Sequence, residues 1–180
     1  ECLAGQGITL YTWVQLCYAK ALYRMYERRE DPGTLSGKDS ALWLMHVDLG
    51  RYGEWQDELR LVGNLIVSIP LRIPEDMTGA QLQNDLLWLR QCHGLGDSDV
   101  LDGFPLRSVH AGIISNDFGE LHPVIADSLI IDRADFGGNS MCIKDGRLCI
   151  TLRPSDDIEK ETWVGFKNDF LHDLKSDPTG

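Results

Sequence analysis

The chain has 180 residues, 43% of them hydrophobic, with 28 acidic against 17 basic side chains, a net charge of −11 and a pI near 4.7. That length suits one domain or at most two small ones, and the apolar fraction is enough to bury a core, which excludes an intrinsically disordered chain. The charge repels a nucleic-acid backbone, so nucleic acid is not an expected partner, and apolar runs such as residues 61–69 stop well short of the roughly 20 residues of a membrane span.

Residues 1–90 hold 12 acids and 9 bases, whereas residues 91–180 hold 16 acids and 8 bases. An acidic second half of this kind serves solubility and also fits a basic protein partner or divalent cations. The N-terminus, Glu1-Cys2-Leu3-Ala4, has neither an initiator Met nor a basic leader, so it reads as a cut or processed end and not as a signal peptide. Five cysteines with no C-x-x-C pair argue against a disulfide framework and a structural zinc site, and point to a reducing, cytoplasmic setting.

Residues 8–30 contain no Gly or Pro, and Leu10, Val14, Cys17, Ala21 and Met25 recur at helical spacing, which predicts a helix ended by Asp31-Pro32-Gly33. Tyr11, Trp13, Tyr18, Tyr23 and Tyr26 point around most of its circumference. Two accounts fit: a partner surface, with Tyr11, Trp13 and Tyr18 as candidate binding residues, or a central helix buried on several sides.

Asp39 or Ser40 can cap a second helix with Leu42, Met45 and Leu49 on its face, before Gly50 and Gly53 break it. A further helical segment is expected from Glu54 towards Val67, with residues 64–69 readable as a helix end or a short strand. Here Gly53, Trp55, Glu58, Val62, Leu65, Ile66 and Pro70 resemble in phase the second half of a tetratricopeptide repeat, although Glu58 stands where a small residue is usual. The resemblance implies a packed helix hairpin, and no second copy at that period builds a solenoid. Ile69-Pro70-Leu71-Arg72-Ile73-Pro74 is an extended connector whose prolines confine any strand to a sheet edge. Residues 78–92 predict a better helix, with Leu82, Leu86 and Leu89 in phase and Trp88 beside them.

A polar, turn-rich stretch over 93–105 divides a helical subdomain (1–94) from an α+β subdomain (95–180). Beyond it, residues 107–115 and 128–135 read as strands. Asp145-Gly146 between two alternating runs is the strongest local signal in the chain, that of a two-residue hairpin. It sets Lys144 opposite Arg147, Ile143 opposite Leu148 and Cys142 opposite Cys149. Met141, Ile143, Leu148, Ile150 and Leu152 fall on one apolar face, and Cys142, Lys144, Arg147, Cys149, Thr151 and Arg153 on a polar one. Lys144 and Arg147 are candidate binding residues for a phosphate or carboxylate. Cys142 and Cys149 lie two pairs from the turn, a hydrogen-bonded position with wider backbone spacing, so free thiols packed as small hydrophobes are expected.

Asp156 and Glu159 have capping-box spacing before a last helix, whose stripe of Trp163, Phe166, Phe170 and Leu174 is expected to cover the sheet. The fold class is therefore α+β: a helical N-terminal half packed on a small antiparallel β-sheet, with a covering C-terminal helix.

Chemistry has one candidate region. His110, Asp117, Glu120, His122, Asp127, Asp132 and Asp135 bring imidazoles and carboxylates into a short stretch. His122, Asp127 and Asp132 are candidate metal ligands, and His110, His122 and Asp132 candidate catalytic groups. On a strand over 128–135, however, Asp132 and Asp135 fall on opposite faces. The chain has no G-x-S-x-G elbow, phosphate-binding glycine loop or H-E-x-x-H helix. Three readings follow: an acidic interaction module for another macromolecule, a protein first, of inhibitor, immunity or adaptor type; a metal-dependent hydrolase of a phosphate ester; or a domain of a larger viral or multidomain assembly.

Overall fold

The computed structural model describes residues 2–28, 41–49, 66–91, 109–115, 139–144, 147–153 and 158–176. In chain order these form α1 (Cys2–Gly5), α2 (Leu10–Arg28), β1 (Leu42–Leu49), β2 (Ile66–Ile73), α3 (Gly79–Gln91), β3 (Val109–Ala111), β4 (Ile113–Ser115), β5 (Asn139–Lys144), β6 (Arg147–Thr151) and α4 (Lys160–Lys175). The fold is α+β.

The strands make two three-stranded sheets, ordered β2-β1-β3 and β4-β5-β6. In each, one pair is antiparallel (β1 with β2, β5 with β6) and the third strand joins in parallel. β3 and β4 form one extended run interrupted at Gly112. A Cβ there would stand 2.4 Å from the Met45 carbonyl oxygen, so the β1 backbone passes where a side chain would be. Only glycine permits that approach, and at this point the chain leaves the first sheet and enters the second. The first sheet also draws β1 from before the turn-rich stretch and β3 from after it.

α2 lies among these layers, against β1, β4, α3 and α4. Every residue from Thr12 to Ala19 is buried. A surface helix buries one stripe only, so α2 is a central helix enclosed on several sides, the second of the two accounts its aromatics allow. Its N-terminus follows a turn in which Gly7 takes a φ of +68°, a conformation that costs a glycine nothing. Thr9 caps the helix by accepting from the Thr12 amide (3.2 Å). Gln83 of α3 accepts from the Thr9 amide (2.9 Å) and the Thr12 hydroxyl (2.6 Å). That is a capping box whose glutamine comes from another helix. Near the other end, the Tyr23 hydroxyl donates to Ile73 O (2.7 Å) and accepts from Leu42 N (2.8 Å). Leu42 and Ile73 are the terminal pair of the β1–β2 ladder, so this hydroxyl closes its end.

Residues 42–49 form strand β1, not the helix expected from Leu42, Met45 and Leu49. Leu42, Leu44 and His46 are buried, with Trp43 and Met45 half-buried between them, a period of two. β1 is the middle strand of its sheet, and pairing on both sides outweighs the helical spacing. Ile66 and Pro70 lie in strand β2, so the repeat-like helical phase does not hold there. Residues 50–65, which carry the rest of that resemblance and most of the helix expected from Glu54, lie outside the described residues. Pro70 does sit on an edge strand, where a missing N–H is tolerated. α3 follows its expected span; Thr78 accepts from Gln81 N (3.3 Å) while Gln81 Oε1 accepts from Thr78 N (2.8 Å).

The hairpin register is the one that Asp145-Gly146 implies: Lys144 pairs with Arg147, Ile143 with Leu148 and Cys142 with Cys149. Its apolar face is covered at the base, where Met141 is buried, and open near the turn, where Ile143 and Leu148 are 52% and 37% exposed. Cys142 and Cys149 are free thiols, but Cys149 is exposed and does not pack as a small hydrophobe. At the foot of the hairpin, Asn139 Nδ2 donates to the Tyr18 hydroxyl (2.9 Å) and Asn139 Oδ1 accepts from Arg153 N (3.0 Å). This ties the open ends of both arms to α2.

The aromatic stripe of α4 packs on α2, where the sequence pointed to the sheet. Phe166 stacks on Trp163 (5.1 Å) and Phe170 (6.2 Å), and the Tyr18 ring meets Phe166 and Phe170 edge-on at 5.6 and 6.1 Å. Both geometries are favourable for aromatic pairs, and Tyr18 offers them an edge that the outer hairpin lacks. Around this contact Arg24 pairs with Asp173, and Arg28 Nη2 meets Asp169 Oδ2 at 2.5 Å. Glu159 stands at the N-cap of α4 without a side-chain cap bond, and Asp156 lies outside the described residues.

Candidate functional site

Of the residues singled out for chemistry, His110 lies in β3, where it pairs with Leu44 of β1. His122, Asp127 and Asp132 lie outside the described residues, as do the strand expected over 128–135 and the remaining carboxylates of that stretch. Among the described residues no three His, Cys, Asp or Glu side chains gather as a metal site.

Trp13 and Tyr18 are buried, and the Tyr18 hydroxyl is engaged by Asn139. Tyr11 is half-buried, its hydroxyl 2.8 Å from His46 Nδ1 and accepting from Gln15 Nε2 at 2.7 Å. Gln15 Nε2 also donates to Ile113 O, at 2.5 Å, and its Oε1 accepts from Ile113 N at 3.2 Å. Tyr11, Gln15 and His46 thus form a hydrogen-bonded chain at the junction of the two sheets, and these groups serve the fold. Burial sets the titration of the neighbouring groups: it pushes the Cys17 thiol up to about 12, with Asp173 adding to the effect, and the Tyr18 phenol up to about 12. Tyr23 is raised as well, again by burial first. The Tyr18 and Tyr23 hydroxyls are buried and hydrogen-bonded within the fold.

Besides α4, which exposes Val164 and Leu171, two outer elements among the described residues carry side chains not committed to the core. On α3, Gln81, Asn84, Asp85 and Trp88 fall three and four residues apart on one exposed face, while Leu82 and Leu86 are buried on the other. Trp88 is 61% exposed and its neighbour Leu87 44%. Glu75 and Asp76, just before the helix, are exposed too. The sequence placed Trp88 beside the apolar stripe. Stepping about 100° per residue from Leu82, Leu86 and Leu89 already carries Leu87 and Trp88 off that stripe by roughly 120–140°. The second outer element is the hairpin. Besides Ile143 and Leu148 it exposes Arg147, and it brings Cys142 opposite Cys149.

No described helix is long and apolar enough to cross a membrane. Compared with known protein families, with curated proteins and with solved structures, the chain matches none.

Proposed function

We propose that the chain is an intracellular acidic interaction module that binds another protein, of inhibitor, immunity or adaptor type. The observation that carries the reading is the outer face of α3, where Trp88 stands exposed beside Asp85, with Leu87 exposed next to it in sequence. Tryptophan is the residue type most enriched among the few side chains that dominate protein interfaces, because one ring removes a large area from water at little entropic cost. A net charge of −11 favours a basic partner, and attraction between opposed charges acts mainly on the rate of association. The alternative of a phosphate-ester hydrolase rests on His110, His122, Asp127 and Asp132, of which the last three lie outside the described residues.

The test is retention of partners from a native extract by the wild-type chain and by Trp88→Ala, at low and at high salt. A basic protein held by the wild type, lost with Trp88→Ala and weakened steeply by salt is the expected result. Partners held equally by Trp88→Ala, or indifferent to salt, contradict the reading.

A further inference from the structure

We infer that Cys142 and Cys149 form a dithiol site that exchanges with low-molecular-weight disulfides such as glutathione disulfide, closing a reversible disulfide across the hairpin. The two cysteines are direct partners in the β5–β6 ladder and are both free. Direct partners in an antiparallel ladder project their side chains to the same face. Two pairs out from a two-residue loop is a hydrogen-bonded position, where Cα atoms stand about 5.5 Å apart. Disulfides span Cα separations of about 4.4–6.8 Å, so the wider spacing that pointed to free thiols still admits the bond.

Access and charge favour the exchange. Cys149 is exposed and Cys142 half-buried, so a reagent reaches the first and leaves the second as the resolving thiol. The Cys149 thiol makes only a weak contact, 3.8 Å from Arg147 O, and rotation about χ1 frees it. Arg147 is exposed on the same face, two residues away, and among the described residues its guanidinium has no carboxylate partner. Glutathione disulfide is an anion, so a cation at the point of attack attracts it.

The reaction balances without a further reagent. The Cys149 thiolate attacks one sulfur of glutathione disulfide, that S–S bond breaks, and one glutathione leaves as a thiolate. The Cys142 thiolate then attacks Cys149 Sγ in the mixed disulfide and displaces the second glutathione. Two protein thiols are oxidised to one disulfide, one glutathione disulfide is reduced to two glutathione molecules, and the two protons pass from the cysteines to the leaving thiolates. The product staples the arms that carry Ile143 and Leu148, and its exposure keeps it open to reduction.

The experiment treats the folded 180-residue chain with glutathione disulfide without oxygen, blocks the remaining thiols, and maps the cysteines by peptide mass. The wild type is expected to show a Cys142–Cys149 disulfide that dithiothreitol reverses, with Cys17 unmodified. Cys142→Ser, which lacks the resolving thiol, is expected to keep one glutathione on Cys149. A wild-type chain that holds glutathione on Cys149 as stably as Cys142→Ser does, or whose Cys142 and Cys149 stay reduced while a free cysteine peptide in the same vessel oxidises, overturns the inference.

Discussion

Gln15 meets Ile113 as a neighbouring strand would: Ile113 N donates to Oε1 at 3.2 Å and Nε2 donates to Ile113 O at 2.5 Å. The N–H and C=O of one residue in a strand point to the same edge, so a single carboxamide satisfies both. It does so beside Gly112, where the chain passes from one sheet to the other. Gln15→Leu keeps the packing volume and removes both bonds, leaving two buried backbone groups unpaired. At about 1–3 kcal/mol for each, the expected loss is about 2–6 kcal/mol, read as a lower denaturant midpoint with an unchanged slope. A loss below about 1 kcal/mol would mean that the carboxamide does not hold the junction.

Gly112→Ala is expected to be the most damaging single-methyl change in the described part of the chain. The new Cβ would lie 2.4 Å from a backbone oxygen, which cannot swing away as a flexible side chain does. Overpacking of this kind costs about 1–3 kcal/mol or more. Gly5→Ala, with nothing within 4 Å of the added methyl, is the matched control and should unfold within a few degrees of the wild type. Thermal unfolding of the two variants side by side decides it.

Two forces hold α4 on α2, and their sizes differ. Phe166 is buried among Trp163, Phe170 and Tyr18, so Phe166→Ala is expected to cost about 3–5 kcal/mol. The ion pairs of Arg24 and Arg28 with Asp169 and Asp173 lie at a partly exposed rim, where such pairs contribute at most about 1 kcal/mol each. Arg24→Ala should therefore matter little and less still in high salt, while Phe166→Ala should be indifferent to salt. Denaturant titrations at two ionic strengths separate these effects.

The architecture was partly written in short-range chemistry. Asp145-Gly146 encodes its own turn, and the register of every β5–β6 pair follows from it. The spacing of apolar residues likewise marked α2 and α3. β1 was not legible, because Leu42, Met45 and Leu49 fit a helix as well as a strand, and its pairing with β2 and β3 involves residues distant in sequence. The division into two sheets turned on Gly112, whose role depends on the Met45 carbonyl. Trp13 and Tyr18 looked equally suited to a surface and to a core, since only the elements packed around α2 settle which. Trp88 was placed beside the apolar stripe of α3, although the helical phase carries it off that stripe, whereas the pairing of the hairpin thiols was legible in the register of their turn.

Stability should fall in alkali from below the usual range of tyrosine titration. Cys17 is neutral in the fold up to about 12 but ionises near 9.0 in the unfolded chain, and Tyr18 has the corresponding limits of about 12 and 10.0. Between those limits the unfolded state binds fewer protons than the folded one, so the free energy of unfolding declines as pH rises. The contribution is fully present below pH 9.0 and lost by about pH 12. Cys17→Ala is expected to flatten the first part of the decline, whatever it does to absolute stability. An equally steep fall in Cys17→Ala would contradict the assignment.

The most direct measurement is native-state hydrogen exchange resolved along the chain. A central α2, buried throughout from Thr12 to Ala19 and bonded to both sheets through Gln15, Tyr18 and Tyr23, predicts that amides of that stretch exchange only through global unfolding. Amides of β6, with most of its side chains exposed, should exchange through smaller openings. If the α2 amides instead exchange as fast as those of β6, α2 is not the core of this protein, and Trp13 and Tyr18 return to the surface as binding residues.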